Sequence, residues 1–277
     1  TQPLARGMEA LRGGGPDFLG GHEAASTIRF LVMSLHVLRL REAALPLTLA
    51  ACAGIGFLVI GETAKAADFS GSAALTTDYV WRGSTQTHGD PAVQASFKIA
   101  GKFGFYGSVW GSNVEFAPET HASTELDFTA GWAGNLNENW ALDVNVLHYR
   151  YPSTTIDLDW TELNGTVTWK SNYWASLGYS NEALGFDESG LYGLVGAKFP
   201  VNDKFRFEAA VGHYELKDLT GDGHDDSYTH GLVSAVWAFK APFEARLSAH
   251  ATDSNAKTFF GDEFAGSRVE AALQASF

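Results

Sequence analysis

Charged side chains recur two residues apart along this sequence, as Glu125 and Asp127, Arg206 and Glu208, Glu244 and Arg246, and Arg268 and Glu270. Groups at i and i+2 share one face of an extended strand. Each pair is therefore aimed into one polar space, where it can solvate ions or small solutes or neutralise a neighbour. Asp78, Arg82, Lys98, Asp143, Glu162 and Lys198 fall on the same side by the same alternation. Hydrolysis is a second chemistry to weigh, since His148, His213 and His250 stand toward the ends of extended segments with Ser180 and Ser248 on neighbouring ones. Nothing arranges them as nucleophile, base and orienter. No zinc spacing, phosphate-binding glycine loop or redox motif occurs either, so the sequence predicts neither an enzyme nor a cofactor. A last cluster, Asp218, Asp222, Asp225 and Asp226, has the oxygen ligands a hard cation such as Ca²⁺ needs. Its spacing departs from the EF-hand loop, and a simply solvated acidic loop is the commoner meaning, so no metal is assigned.

The elements that must position these groups are strands. From residue 69 onward, strand-like segments of about ten residues recur about twelve times. They fall near residues 69–82, 92–100, 103–113, 124–134, 140–151, 160–169, 173–180, 190–199, 205–214, 228–239, 243–251 and 264–277. Short connections (101–102, 135–139, 171–172, 200–204, 241–242) alternate with longer polar ones (83–91, 114–123, 152–159, 181–189, 215–227, 252–265). That rhythm suits an up-and-down barrel with short periplasmic turns and long outer loops, and an even strand count puts both termini on the periplasmic side. On the lipid side alternation places Val93, Phe97 and Ile99; Leu126, Phe128 and Trp132; Leu142, Val144 and Val146; Phe207, Val211, Leu247 and Leu273. Aromatic girdles are expected at both interfaces. Phe103, Phe105, Trp140, Trp169, Tyr173, Phe199, Phe205, Phe207, Phe239 and Phe243 stand beside the short turns, and Tyr79, Trp81, Trp110, Tyr149, Tyr151, Trp160, Tyr179 and Tyr228 stand near the long loops. A soluble barrel or sandwich with these residues in its core is the competing architecture.

The front of the sequence argues for export. From Met33 it reads as a secretory signal over residues 33–66, with a basic start at His36, Arg39 and Arg41, an apolar stretch over 43–60, and Ala64-Lys65-Ala66 before Ala67 as the cleavage site. Residues 1–32, interrupted by Gly13-Gly14-Gly15-Pro16 and Gly20-Gly21, read as an over-extended start without structure. A retained anchor helix competes over 43–60, as does lipoprotein processing at Leu49-Ala50-Ala51-Cys52. Pro46 and the cleavage pattern weigh against the first, and the apolar run past Cys52 weighs against the second. Cys52 is the only cysteine, so residues 67–277 carry no disulfide framework. Thirteen per cent aromatic residues, 30 glycines and 18% charged residues, at a mean hydropathy of -0.08, suit strands with one wet and one apolar face. A net charge of -13 leaves nucleic acid without the clustered cations it needs.

Several runs also resemble a known family. Leu75-Thr76-Thr77-Asp78-Tyr79-Val80-Trp81-Arg82-Gly83, Pro91-Ala92-Val93-Gln94, the run from Gly104 to Val114, Glu125-Leu126-Asp127 and His148-Tyr149-Arg150-Tyr151-Pro152 are similar to the Gcw_chp family, also described as TorF-type porins. The resemblance is densest before Trp169 and thins after it. It implies an all-β, transmembrane, antiparallel up-and-down barrel in the bacterial outer membrane, and it supplies no catalytic residues.

Joined to the alternation, the expected pore lining is Asp78, Arg82, Lys98, Glu125, Asp127, Asp143, Glu162, Arg206, Glu208, Glu244, Arg246, Arg268 and Glu270. Glu125, Asp127, Asp143 and Glu162 form an acidic wall without a balancing base, and the later strands form a mixed wall. The expected function is passive diffusion of small polar solutes, with cations or zwitterions favoured over anions. A non-conducting structural or adhesive barrel, stiffened by internal salt bridges, and an outer-wall lipid hydrolase are the alternatives. Expected partners are outer-membrane lipid and lipopolysaccharide, the barrel-assembly machinery and small polar solutes. Phe277 is expected to be the assembly signal, facing lipid at the periplasmic rim with its strand paired to the first.

Overall fold

Alternation of apolar and polar residues at a period of two is the dominant order in the chain, and it can be buried on one side only if the sheet closes or is covered. Here it closes. The computed structural model describes residues 67–117, 120–219, 223–224 and 226–277. The expected upstream stretch 1–32 and the signal 33–66, including Ala66, lie outside the described residues. Twelve strands form one closed antiparallel barrel: β1 (Asp68–Thr76), β4 (Ala92–Ala100), β5 (Phe105–Asn113), β6 (Thr124–Asn135), β7 (Trp140–Arg150), β8 (Trp160–Trp169), β9 (Tyr173–Ser180), β10 (Gly190–Pro200), β11 (Phe205–Leu216), β12 (Asp226–Lys240), β13 (Phe243–Thr252) and β14 (Arg268–Ser276). Each pairs with its neighbour in sequence around the ring, with β4 beside β1. β14 returns to β1 with Ser72 opposite Ser276 and Leu75 opposite Leu273.

The pleat sorts the side chains as the sequence predicts. Val93, Phe97, Ile99, Phe128, Val144, Val146, Phe207, Val211, Leu247 and Leu273 are all exposed on the outer surface, Val93 at 64%. Asp143, Glu162, Glu208 and Glu270 are buried inside. An exterior of large apolar side chains around a charged interior is stable when lipid surrounds the ring, since exposing that belt to water forfeits about 25 cal/mol per Å². Inside, hydroxyls meet directly across strand pairs at Ser72–Ser96 (2.7 Å), Thr166–Ser176 (2.8 Å) and Ser234–Ser248 (2.8 Å).

Local chemistry fixes the short turns. Asn137 accepts from the amides of Asn139 and Trp140, and Asn202 accepts from those of Lys204 and Phe205, the Asx geometry that turns a chain tightly. Around this end stand Phe103, Phe105, Trp140, Trp169, Tyr173, Phe199, Phe207 and Phe243, all exposed. That is the girdle expected there. Asp68 lies opposite Ala100, just before one short turn. The Ser276 amide bonds to the Pro242 carbonyl in another, so the barrel sequence starts and ends on the same rim.

The long-loop end differs from expectation. The first strand was expected to run to Arg82, but β1 stops at Thr76, whose hydroxyl donates to the Asp78 carbonyl and to Glu270. The chain then turns into the barrel as a miniature hairpin, β2 (Val80–Trp81) and β3 (Ser84–Thr85). Arg82 (φ 46°) and Gly83 (φ 86°) supply the two left-handed residues of its turn. Gly83 is further constrained, because a Cβ there would lie 2.7 Å from both His230 Cβ and Thr252 Cγ2. The expected loop 252–265 holds a short helix, α1 (Ser254–Phe260), capped by Asp253, which accepts from the Asn255 and Ala256 amides, and ended by Gly261 (φ 87°). The last strand accordingly begins at Arg268, not at Phe264.

Candidate functional site

The interior divides into two zones. Toward the short turns, charges pair across the strands. Arg206 reaches both oxygens of Glu244 (2.9 and 3.0 Å) and, through Nε, Glu208 (2.7 Å), whose other oxygen takes Arg246 (2.8 Å). On the facing arc Tyr106 donates to Asp143 (2.9 Å), Asn145 donates to the same carboxylate (2.8 Å), and the Lys98 ammonium lies 3.6 Å from the centre of the Tyr106 ring. Lys198 sits near the Trp174 ring at 5.9 Å. The alternation expected the charged residues among these, Lys98, Asp143, Lys198, Arg206, Glu208, Glu244 and Arg246, on the inner side, and the fold brings them there beside Tyr106, Asn145 and Trp174, which that expectation did not include.

Toward the long loops the interior is crossed by residues 78–87, which the short hairpin carries inward. Asp78 accepts from Arg268 on β14 (3.0 Å), Tyr79 donates to Glu125 on β6 (3.2 Å), and Arg82 Nη2 donates to both oxygens of Glu162 on β8 (2.8 and 2.7 Å). These ties reach three separate arcs of the wall. Thr85 and Thr87 both donate to Asp78, which fixes the loop internally. The Arg82 guanidinium also lies over Tyr192 (3.7 Å), Trp81 (4.4 Å) and Tyr214 (4.8 Å), a desolvated cation on aromatic faces.

Two expectations are corrected by this arrangement. The acidic wall is not wholly without a base, because Arg82 leaves the line of its strand and meets Glu162 inside. Glu125 and Asp127 remain with no cationic partner among the described residues; Glu125 is held by Tyr79 (3.2 Å), with Tyr151 and Asp127 also in hydrogen-bond reach. The aromatic girdle expected at the long-loop end is the second correction. Tyr79, Tyr149, Tyr151, Trp160 and Tyr228 are buried inside the barrel, and Tyr179 alone of that expected set is a large exposed residue. Tyr149 and Trp160 stack at 4.1 Å, and Trp81 meets both edge-on at 6.1 and 6.2 Å. Phe260 of α1 meets Tyr228 edge-on at 5.4 Å, so the loop that carries Phe259 and Phe260 packs inward too. For Tyr149 and Trp160 the physical reason is parity, since they share a face with Asp143 and Glu162; Tyr228 shares the inward face of β12 with His230 and Ser234, and Tyr79 is carried inward by the chain that turns in after β1.

The other candidates separate. Ser248 bonds to Ser234, Ser180 accepts from the Glu182 amide, and His250 faces Glu270 inside (3.1 Å). On the outer wall His213 sits between Thr229 (2.8 Å) and Glu215 (2.9 Å), a carboxylate partner that the sequence reading of His213 did not name. The i and i+2 spacing of His213 and Glu215 was the available signal. His148 makes the same contact to Thr161 (3.0 Å) without a carboxylate, so cross-strand His–Thr pairs recur at this rim as ties between strands. Asp218 accepts from the Gly223 amide, Asp226 begins β12, and Asp222 and Asp225 lie outside the described residues. Among the described residues no group of three or more metal ligands gathers. Phe277 is 68% exposed and exchanges backbone hydrogen bonds with Gly71 of β1.

The family model described as "Bacterial protein of unknown function (Gcw_chp)" matches residues 61–277. The chain belongs to the Gcw_chp family. The match spans the whole described barrel, including the second half where the resemblance of short runs thins. No curated protein matches this Gcw_chp chain. Among solved structures it is similar to a KdgM porin (9% identity, covering 75% of this chain and 99% of that one, TM-score 0.47) and to a NanC porin (10%, 76% and 99%, TM-score 0.49). A COG4313 outer membrane channel from Pseudomonas putida F1 is also similar (11%, 78% and 96%, TM-score 0.43). Likenesses this loose carry no weight for function.

Proposed function

We propose that this Gcw_chp barrel is an outer-membrane channel for the passive diffusion of small polar solutes, narrowed at one mouth by its first long loop. The observation that carries the reading is the closed ring with an apolar exterior and a charged, hydroxyl-lined interior. Such an interior is stable only when wet or fully paired. In this reading the short turns and both ends of the barrel sequence face the periplasm, the chain is exported by the signal at residues 33–66, and lipid with lipopolysaccharide surrounds the belt. Phe277, at the rim, is the signal read by the assembly machinery. Glu125 and Asp127 bias the mouth toward cations and zwitterions over anions.

Planar-bilayer recording of the purified protein tests this. Stepwise conductance in KCl with a reversal potential on the cation side is expected, whereas silence removes the channel and anion selectivity removes the acidic bias. One observation favours a second reading. The inward hairpin, α1 and the aromatic layer fill one mouth, which suits a non-conducting structural barrel, and in that case silence persists when the hairpin is removed.

A further inference from the structure

On the outer wall at the long-loop end, His213 has a different neighbour at each ring nitrogen. Its Nδ1 lies 2.8 Å from the hydroxyl of Thr229, directly opposite on β12, and its Nε2 lies 2.9 Å from Glu215 Oε1, two residues along β11. A carboxylate only accepts, so Nε2 carries the proton, and Nδ1 of the neutral ring is left to accept from the Thr229 hydroxyl. A hydroxyl, a base and a carboxylate that orients the base are thus within hydrogen-bond reach in that order. Thr229 is held from the other side, since its amide donates to Asp253 Oδ2 (2.7 Å) and its carbonyl accepts from the Asp253 amide (2.9 Å). Ser180 and Ser248, the hydroxyls weighed from the sequence, take no part.

Toward the middle of the wall, an apolar groove of about 860 Å³ opens on the same outer surface. Its volume is that of a small-molecule site, roughly 300–1,000 Å³. Val195, Val211, Gly231 and Ala251 lie side by side there on four successive strands, with Val233 and Val269 beyond them. Val211 and Gly231 form the next outward rung after His213 and Thr229, so the groove ends beside the hydroxyl. Gly231 leaves room at that junction: a Cβ there would meet only Ala210 O at 3.6 Å and Val211 Cγ2 at 3.9 Å, both ordinary contacts. Toward the rim, exposed Tyr179 pairs with Leu191 and Leu191 with Glu215. Rings of that kind mark the boundary between lipid and water, and the three polar side chains stand between that boundary and the groove.

We propose that Thr229, His213 and Glu215 hydrolyse a carboxyl ester of a membrane glycerophospholipid whose acyl chain lies in the groove. Thr229 Oγ1 attacks the ester carbonyl carbon while His213 Nδ1 takes the hydroxyl proton. The bond from that carbon to the alcohol oxygen breaks, the lysophospholipid leaves with the proton from His213, and the acyl group stays on Thr229. Water then attacks the acyl-threonine and gives a proton to His213; the ester bond to Thr229 breaks, His213 returns the proton to Thr229, and a fatty acid is released. Position selects the substrate, because an apolar groove on the outer belt meets acyl chains first and the polar set lies at its rim-side end. His148 and Thr161 repeat the pair without a carboxylate and supply a comparison within the same wall. The site goes beyond the channel reading and works whether or not the lumen conducts.

Fatty-acid release from phosphatidylethanolamine in mixed detergent micelles, with the purified full chain as catalyst, tests the site. Release is expected, and it should fall by about 100-fold or more in His213→Ala and in Thr229→Val, while Thr229→Ser keeps it measurable and His148→Ala leaves it unchanged. Glu215→Gln should lower kcat with little change in KM, since the carboxylate acts through the base. Gly231→Leu should raise KM, since the added side chain fills the groove beside Thr229. β-sheet circular dichroism establishes that each variant is folded; His213→Gln and Thr229→Ala replace either knockout that is not. No release by the wild type overturns the site, as does release that survives in folded His213→Ala or Thr229→Val. Equal loss in His148→Ala overturns it too, because the histidines then act only as ties between strands.

Discussion

Arg82 gives one nitrogen to both oxygens of Glu162 and lays its plane against Tyr192, Trp81 and Tyr214. Both partners are nearly inaccessible, at 8% and 1% of their side-chain surface. Removing one member of such a pair leaves a buried charge uncompensated, a cost of about 3–5 kcal/mol, while replacing both with apolar groups is far milder. Glu162→Gln is therefore expected to lower the urea midpoint of the folded barrel, and Arg82→Met with Glu162→Met to be less damaging than Glu162→Gln alone. A double-mutant cycle by urea titration checks it, and additive losses would show that the two side chains do not act as a pair. The exposed contact of His213 with Glu215 should be nearly silent in the same assay, because surface ion pairs contribute about 0–1 kcal/mol.

The hairpin of β2 and β3 is attached to three arcs of the wall yet contributes no strand to the ring. Replacing residues 78–88 by a short Gly-Ser turn should leave the barrel spectrum intact and raise single-channel conductance several-fold. Unchanged conductance would show that current does not pass the hairpin. α1 depends on its cap, so Asp253→Ala should cost about 1 kcal/mol, read as earlier protease cleavage within residues 254–266. The strands themselves were largely legible in the sequence: 92–100, 160–169 and 173–180 are bounded by Pro91, by polar loop residues and by turn residues, and the structure reproduces those limits. The hairpin was not legible. Tyr79-Val80-Trp81 prolongs the apolar composition of β1, so the segment reads as one strand, and the signals against it, Asp78 and Arg82-Gly83, gain their meaning only from distant partners. The interior aromatics were legible but were judged by their nearness to loops. Tyr149 has the parity of Asp143, and Trp160 that of Glu162, which already aimed both rings inward.

At the scale of the whole molecule the two surfaces of the ring answer to different solvents. Val211→Arg, on the outer belt at 55% exposure, should lower stability in liposomes by about 2–4 kcal/mol near the bilayer midplane. The same change should have little effect in urea-containing buffer before insertion, since the cost comes from lipid. Deleting Phe277 should slow assembly into membranes in vivo while leaving the conductance of barrels that do form unchanged. Normal assembly with altered conductance would reassign that residue. The inward hairpin also has a consequence in time. It follows β1, the first strand of the ring, whereas its partners Glu162, Tyr192, Tyr214 and Arg268 arrive only with β8, β10, β11 and β14. Its contacts are thus among the most distant in sequence, and distant contacts form late. Asp78 meets Arg268 on β14 and Thr76 meets Glu270 on the same strand, so these ties of the hairpin and its root can form only when β14 joins β1, and the contact that anchors the hairpin shares the step that shuts the cylinder.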